Sequence, residues 1–224
     1  MDLHNALAIT LSVATLALAA ASALWWRRRR AAFGSALAIR GWQLSRSGDE
    51  TTVAPTGGDW TITMTRSYAA QMSPPSTHVV VSTWTSPVPR APGAALVAGP
   101  APAPELRDLT VALLGSATPT MTRWLGIDRV SGGRPLSAVA GVDDRLLAFA
   151  TAGYHPGCSL AGVADAVSAW CSRYGSEREQ PAVSIDDTGV CVRIRADVLR
   201  SADQIDAFVE LGLRCRDGLS RSPA

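Results

Sequence analysis

From Ala6 to Trp26 no side chain is charged, and Arg27, Arg28, Arg29 and Arg30 follow without a break. An α-helix rises about 1.5 Å per residue, so this run spans roughly 30 Å, the hydrocarbon thickness of a bilayer. The pattern predicts one transmembrane helix. Arginines beside a span stay on the cytoplasmic side, which puts Met1–Asn5 outside and everything after Arg30 inside. The expected location is the inner (cytoplasmic) membrane, crossed once. Trp25 and Trp26 fit the headgroup level, where one edge of an indole is wet. A cleaved signal peptide is disfavoured, because it needs a positive segment ahead of its apolar core. The leader here is Met-Asp-Leu-His-Asn.

Ala31–Ile39 stays small and apolar, with Phe33 and Leu37 four apart, and reads as a helical extension ending near Gly41. From Trp42 the period shifts to two. Trp42 and Leu44, then Thr51–Val53, flank a polar turn at Ser47–Glu50. Gly57-Gly58 is a second turn, and Trp60, Ile62 and Met64 alternate with threonines as in a half-buried strand. Thr77–Thr85 and Ala95–Ala98 read as further strands. Prolines at 87, 89, 92, 100, 102 and 104 make Ser86–Pro104 a region of edges and turns. Pro104 and Glu105 suit the first turn of a helix stopped by Gly115, and Thr118-Pro119 opens a second short helix to Gly126. Ser131-Gly132-Gly133 is a loop.

The last third carries the clearest periodicity. Leu146–Ala150 reads as a strand. Ser159 caps a helix with Leu160, Val163, Ala164, Val167, Trp170, Cys171 and Tyr174 on one face. Val183–Ile185 and Val190–Ile194 form a hairpin about Asp186–Gly189. Ser201 and Gln204 make a capping box for a final helix burying Ile205, Phe208 and Val209. The expected fold class is α+β: an N-terminal transmembrane helix, then a mainly antiparallel sheet with helices packed on one face, ending β-α-β-β-α. The expected organisation is an anchor over 1–30, a helical extension over 31–40 and a single cytoplasmic domain over 41–224. Within that domain 41–99 is strand-rich, 86–104 a Pro-rich connector, 104–137 a helical connector and 138–215 the β-α-β-β-α unit.

Charge changes the picture once it is divided. From residue 31 onward 17 arginines face 18 carboxylates, and there is no lysine anywhere. The domain is near neutral and lacks the basic stripe that tracks phosphates, which argues against nucleic-acid binding. The arginine cluster reads as a topology signal that also touches lipid headgroups, at about 1 kcal/mol per residue. The abundance of arginine, alanine, glycine and proline suggests a GC-rich bacterial or phage genome. The cysteines at 158, 171, 191 and 215 should be reduced in the cytoplasm.

Candidate chemistry is sparse. His155-Pro156-Gly157-Cys158 places two soft ligands together but lacks the second pair a zinc site needs. A thiol nucleophile needs a nearby base, and the domain offers only His78 and His155. Cys171 and Cys215 fall on core faces of helices. Cys191 shares a strand face with Arg193 and Arg195, which favours thiolate, although a solvated strand face explains the same pattern. Gly-x-Ser-x-Gly and phosphate-loop motifs are absent, and without lysine there is no Schiff base. Asp143-Asp144 and Asp186-Asp187 lie in predicted turns, where aspartate bonds locally. No catalytic, cofactor or metal residue is assigned. The assigned site is Trp25, Trp26 and Arg27–Arg30, for topology and headgroup contact.

With its N-terminal anchor, the Gly41-Trp42 lead-in to a strand-rich segment, and the succession of helix, hairpin and helix from Phe149 to Leu213, the chain resembles uncharacterised bacterial N-terminally membrane-anchored α+β proteins. That resemblance implies a fold and a tether, and no activity. The expected function is a non-enzymatic protein-binding or regulatory module at the membrane surface. An enzyme with a site built from scattered residues, or a structural subunit of a membrane complex, are the alternatives. The expected partners are membrane lipids and a protein or a second copy. Small residues at Ala17/Ala21 and Ala19/Ala23 permit close helix approach in the bilayer.

Overall fold

Threonine, valine and isoleucine alternate along the first half of the domain, and the chain folds there into a four-strand meander. In the computed structural model β1 (Trp42–Ser47), β2 (Glu50–Pro55), β3 (Thr61–Tyr68) and β4 (His78–Ser86) pair antiparallel in succession. The described residues are 3–68, 78–88, 94–115, 135–152, 154, 160–175 and 179–220. Among them, the side chains of 3–10, 12–13, 67–68, 78–79 and 113–115 are outside the description. The expected cap Ser159, the short helix after Thr118 and the loop at Ser131–Gly133 fall on residues that are not described.

The β1–β2 turn holds only Gly48 and Asp49, and Gly48 takes φ +57°. A two-residue hairpin turn with glycine first matches the right-handed twist of its strands. The second half adds β5 (Leu96–Pro100), β6 (Leu136–Ala138), β7 (Leu146–Thr151), β8 (Ala182–Asp186) and β9 (Gly189–Ile194). The nine strands of the described residues form one sheet in the order β1-β2-β3-β4-β9-β8-β5-β7-β6, every pairing among them antiparallel. The late β8–β9 hairpin therefore sits between the early meander and β5, joining the two halves.

Registers carry one apolar row across the sheet: Leu44, Val53, Ile62, Trp84, Val192, Val183, Ala98 and Ala148. Apart from Leu44 on the outermost strand, all are buried. The adjacent row, on the opposite face, runs Ser45, Thr52, Thr63, Thr83 and Arg193, half-buried to exposed. Beta-branched threonines suit such a pleated, half-wet surface.

Among the described residues four α-helices accompany the sheet: α1 (Leu3–Ile39), α2 (Pro104–Gly115), α3 (Ala161–Tyr174) and α4 (Ala202–Ser220). The helix expected from Pro104 to Gly115 is present as α2. In α3 the predicted stripe is buried at Val163, Ala164, Val167 and Trp170, although the helix starts one residue later and its cap position, Leu160, makes no side-chain bond. Ser201 Oγ accepts from the Gln204 N–H at 3.2 Å, and α4 buries Ile205, Phe208 and Val209 as its pattern requires. Gly162 of α3 and Gly218 of α4 come close enough that a Cβ on Gly162 would lie 3.5 Å from Gly218 Cα.

The extension expected at 31–40 proves continuous with the helix before it. α1 runs through the four arginines and stops where Gly41, at φ +70°, turns the chain into β1. The finer expectation, a transmembrane helix over Ala6–Trp26, is not shown. Among the described residues no helix is long and apolar enough to cross a membrane. The described side chains of α1 are Leu11 and then Ala14 onward. A span of roughly 18 residues begun at Ala14 takes in all four arginines.

Candidate binding surface

The site residues assigned from sequence all lie on α1. Trp25 and Trp26 are more than half exposed, their rings edge to face at 5.4 Å. The Arg29 guanidinium lies over the Trp25 ring at 5.2 Å, a cation–π contact that holds a positive head beside an amphipathic ring. Arg27–Arg30 are all exposed. The apolar side chains before them are exposed too: Leu16 at 70%, Leu18 at 69% and Leu24 at 57%.

Where α1 meets the domain the pattern reverses. Leu37 is 2% exposed and part of the main core, with Phe33 packed against it. Burying a leucine in this way stabilises by about 1.5–3 kcal/mol. Arg40 then ties the helix end to α4. Its Nε donates to Asp206 Oδ2 at 2.7 Å, and a terminal nitrogen lies 2.6 Å from Asp206 and 3.5 Å from Asp203. The bond to Asp206 raises the Arg40 pKa above its ordinary value. Trp42 follows, stacked edge to face on Trp60 at 5.5 Å. This helix end is built into the fold.

A second feature lies between α3 and α4. Trp170, Tyr174 and Leu211 floor an open groove of about 130 Å³, with Ala166, Ala169 and Ala207 on its walls and Arg173, Glu210 and Arg214 on its rim. Trp170 is fixed from three sides: Tyr174 at 4.3 Å, Phe208 at 5.6 Å, and a bond from its Nε1 to Glu179 O at 2.9 Å. Arg214 pairs with Glu210 at 2.5 Å, while Arg173 lies over the Tyr174 ring at 5.3 Å. The sequence marked Trp170 and Tyr174 as core. It gave no sign of the groove, because alanines beside an apolar stripe look the same whether a helix covers them or leaves them open.

The weaker candidates stay apart. His155–Cys158 falls outside the described residues. Among those described, no group of three or more His, Cys, Asp or Glu side chains is placed to hold a metal ion. Among the described residues Cys171, Cys191 and Cys215 form no disulfide. Burial pushes Cys215 up to about 12 and raises Cys171, opposite to what activates a nucleophile. Cys191 lies half-buried on the face opposite the core, in line with Arg193. The aspartate pairs act as turn residues: Asp143 Oδ1 accepts from the Arg145 N–H at 2.9 Å, and Asp186 Oδ1 from the Thr188 N–H at 2.8 Å.

No family model matches this chain, and no curated protein and no solved structure shows significant similarity to it.

Proposed function

We propose that the chain is a single-pass membrane-tethered protein whose α+β domain binds a partner at the cytoplasmic surface, without catalysis of its own. One observation carries this reading. Leu11, Leu16, Leu18, Leu24, Trp25 and Trp26 are all more than half exposed, on the stretch of α1 ahead of its packed end at Phe33 and Leu37. Exposed apolar surface on that scale calls for a cover, and a bilayer bounded by Arg27–Arg30 supplies one for an uncharged run from Ala6. The burial of Leu37 and the Arg40–Asp206 pair support a fixed pose for the domain. The open groove between α3 and α4 offers an apolar floor on which a partner side chain could sit.

Topology tests the proposal directly. A reporter active only outside the cytoplasm, fused after Ala224, should give no signal, and alkaline carbonate should leave the chain in the membrane pellet. Strong reporter activity overturns the orientation. Release by carbonate overturns the anchor.

A further inference from the structure

The outermost strand of the sheet is open. In β1 every residue from Gln43 to Ser47 is exposed, and β1 pairs only with β2 among the described residues. Strands at sheet edges are commonly guarded by proline, a bulge or shortness. β1 is six residues long and contains no proline, with Arg46 its one charge. The opposite edge, β6, has three residues and buries Leu136.

The hairpin fixes which backbone groups are free. Across a two-residue turn the closing pair, Ser47 and Glu50, is hydrogen-bonded, and bonded pairs then alternate. Ser45/Thr52 and Gln43/Ala54 belong to that set. The Thr56 N–H bond to Gly41 O at 2.8 Å continues it in phase. Trp42, Leu44 and Arg46 therefore turn their N–H and C=O groups away from β2, to the open side.

We propose that β1 pairs antiparallel with β1 of a second copy about a two-fold axis through Leu44. This register is self-complementary. Leu44 meets its own counterpart, and Trp42 of each copy meets Arg46 of the other. Every outward-facing backbone group of the three residues then has a partner. Leu44 is 45% exposed, and the pairing would cover it. Each Arg46 lies beside an indole, a favourable cation–π partner. The two Arg46 positions are about 14 Å apart at about 3.4 Å per residue, beyond a physiological Debye length. The arrangement extends the sheet to eighteen strands, twice the nine of one copy. It stands independently of the membrane reading.

Cysteine cross-linking of the full chain in detergent tests it. Facing residues in a bonded antiparallel pair have Cα atoms about 5.5 Å apart, within disulfide reach. Leu44→Cys should give a covalent dimer on mild oxidation, well above the background of the unsubstituted chain. Ser47→Cys should not, since its copies would be about 20 Å apart. Light scattering should report a dimer that Leu44→Lys converts to monomer. A monomeric parent chain, equal cross-linking at 44 and 47, a Leu44→Lys variant that keeps dimer mass, or cross-linking of Leu44→Cys to a different polypeptide would each overturn the proposal.

Discussion

Trp84 lies at the centre of the apolar row with 0% exposure, and Gly212 of α4 sits against its ring. A Cβ on Gly212 would come 2.2 Å from Trp84 Cδ2. Alanine normally favours a helix over glycine by up to about 1 kcal/mol, but the buried ring cannot withdraw. Gly212→Ala should therefore lower the melting temperature, by about 1–3 kcal/mol in stability. Gly34→Ala, with nothing within 4 Å, should not. The indole Nε1 of Trp84 has no hydrogen-bond partner among the described residues, so the ring is held by packing alone. Trp84→Leu should make the Gly212→Ala cost smaller than in the parent, and additive losses would rule out the contact. Asp143 offers a pH test. The Arg145 side chain, bonded through Nε at 2.9 Å and a terminal nitrogen at 2.7 Å, lowers its pKa from 3.8 to about 2. A depressed carboxylate stabilises fully above its unfolded value and loses that contribution as pH falls through its folded one. The contribution should vanish between about pH 4 and pH 2. An NMR titration should find the Asp143 midpoint near 2, moving up in Arg145→Gln. A midpoint near 4 in the parent would sink the pairing.

Among the elements, α3 shows most directly how periodicity becomes packing. Its apolar residues recur every three or four positions, and the structure lays that stripe between sheet and α4 with Trp170 only 4% exposed. Trp170→Ala removes the ring, its contacts with Tyr174 and Phe208 and the bond to Glu179 O, and should cost about 3–5 kcal/mol. Arg173→Ala, on the exposed rim, should leave the thermal midpoint nearly unchanged. Equal, mild effects would show that this face is not buried. The same stripe misled in detail at its end: Tyr174 is only half-buried and lines the groove. Hairpins were legible for a different reason. Two residues, Gly48 and Asp49, leave β1 and β2 no geometry except direct pairing, and the same holds for Asp187 and Thr188 between β8 and β9.

At the scale of the whole molecule the thiols report on compartment and packing together. In freshly lysed cells, denatured without reductant, all four cysteines should react with a maleimide. Two or fewer reactive thiols would contradict a reducing environment. Without denaturant Cys215 should stay unlabelled, because burial blocks access and pushes its pKa up to about 12. What the sequence alone determined was local: the helix running on past Arg30 to Gly41, the strands by their period of two, the turns by glycine and aspartate, and the core faces of α3 and α4. Each follows from interactions between residues a few positions apart. Only the tertiary structure decided that β9 pairs with β4 and β8 with β5, that Arg40 reaches Asp206, that Gly212 makes room for Trp84, and that β1 is left as an open edge. Those contacts join residues up to 166 positions apart, and hydrophobic burial, being non-directional, marks which faces must be covered without saying by what.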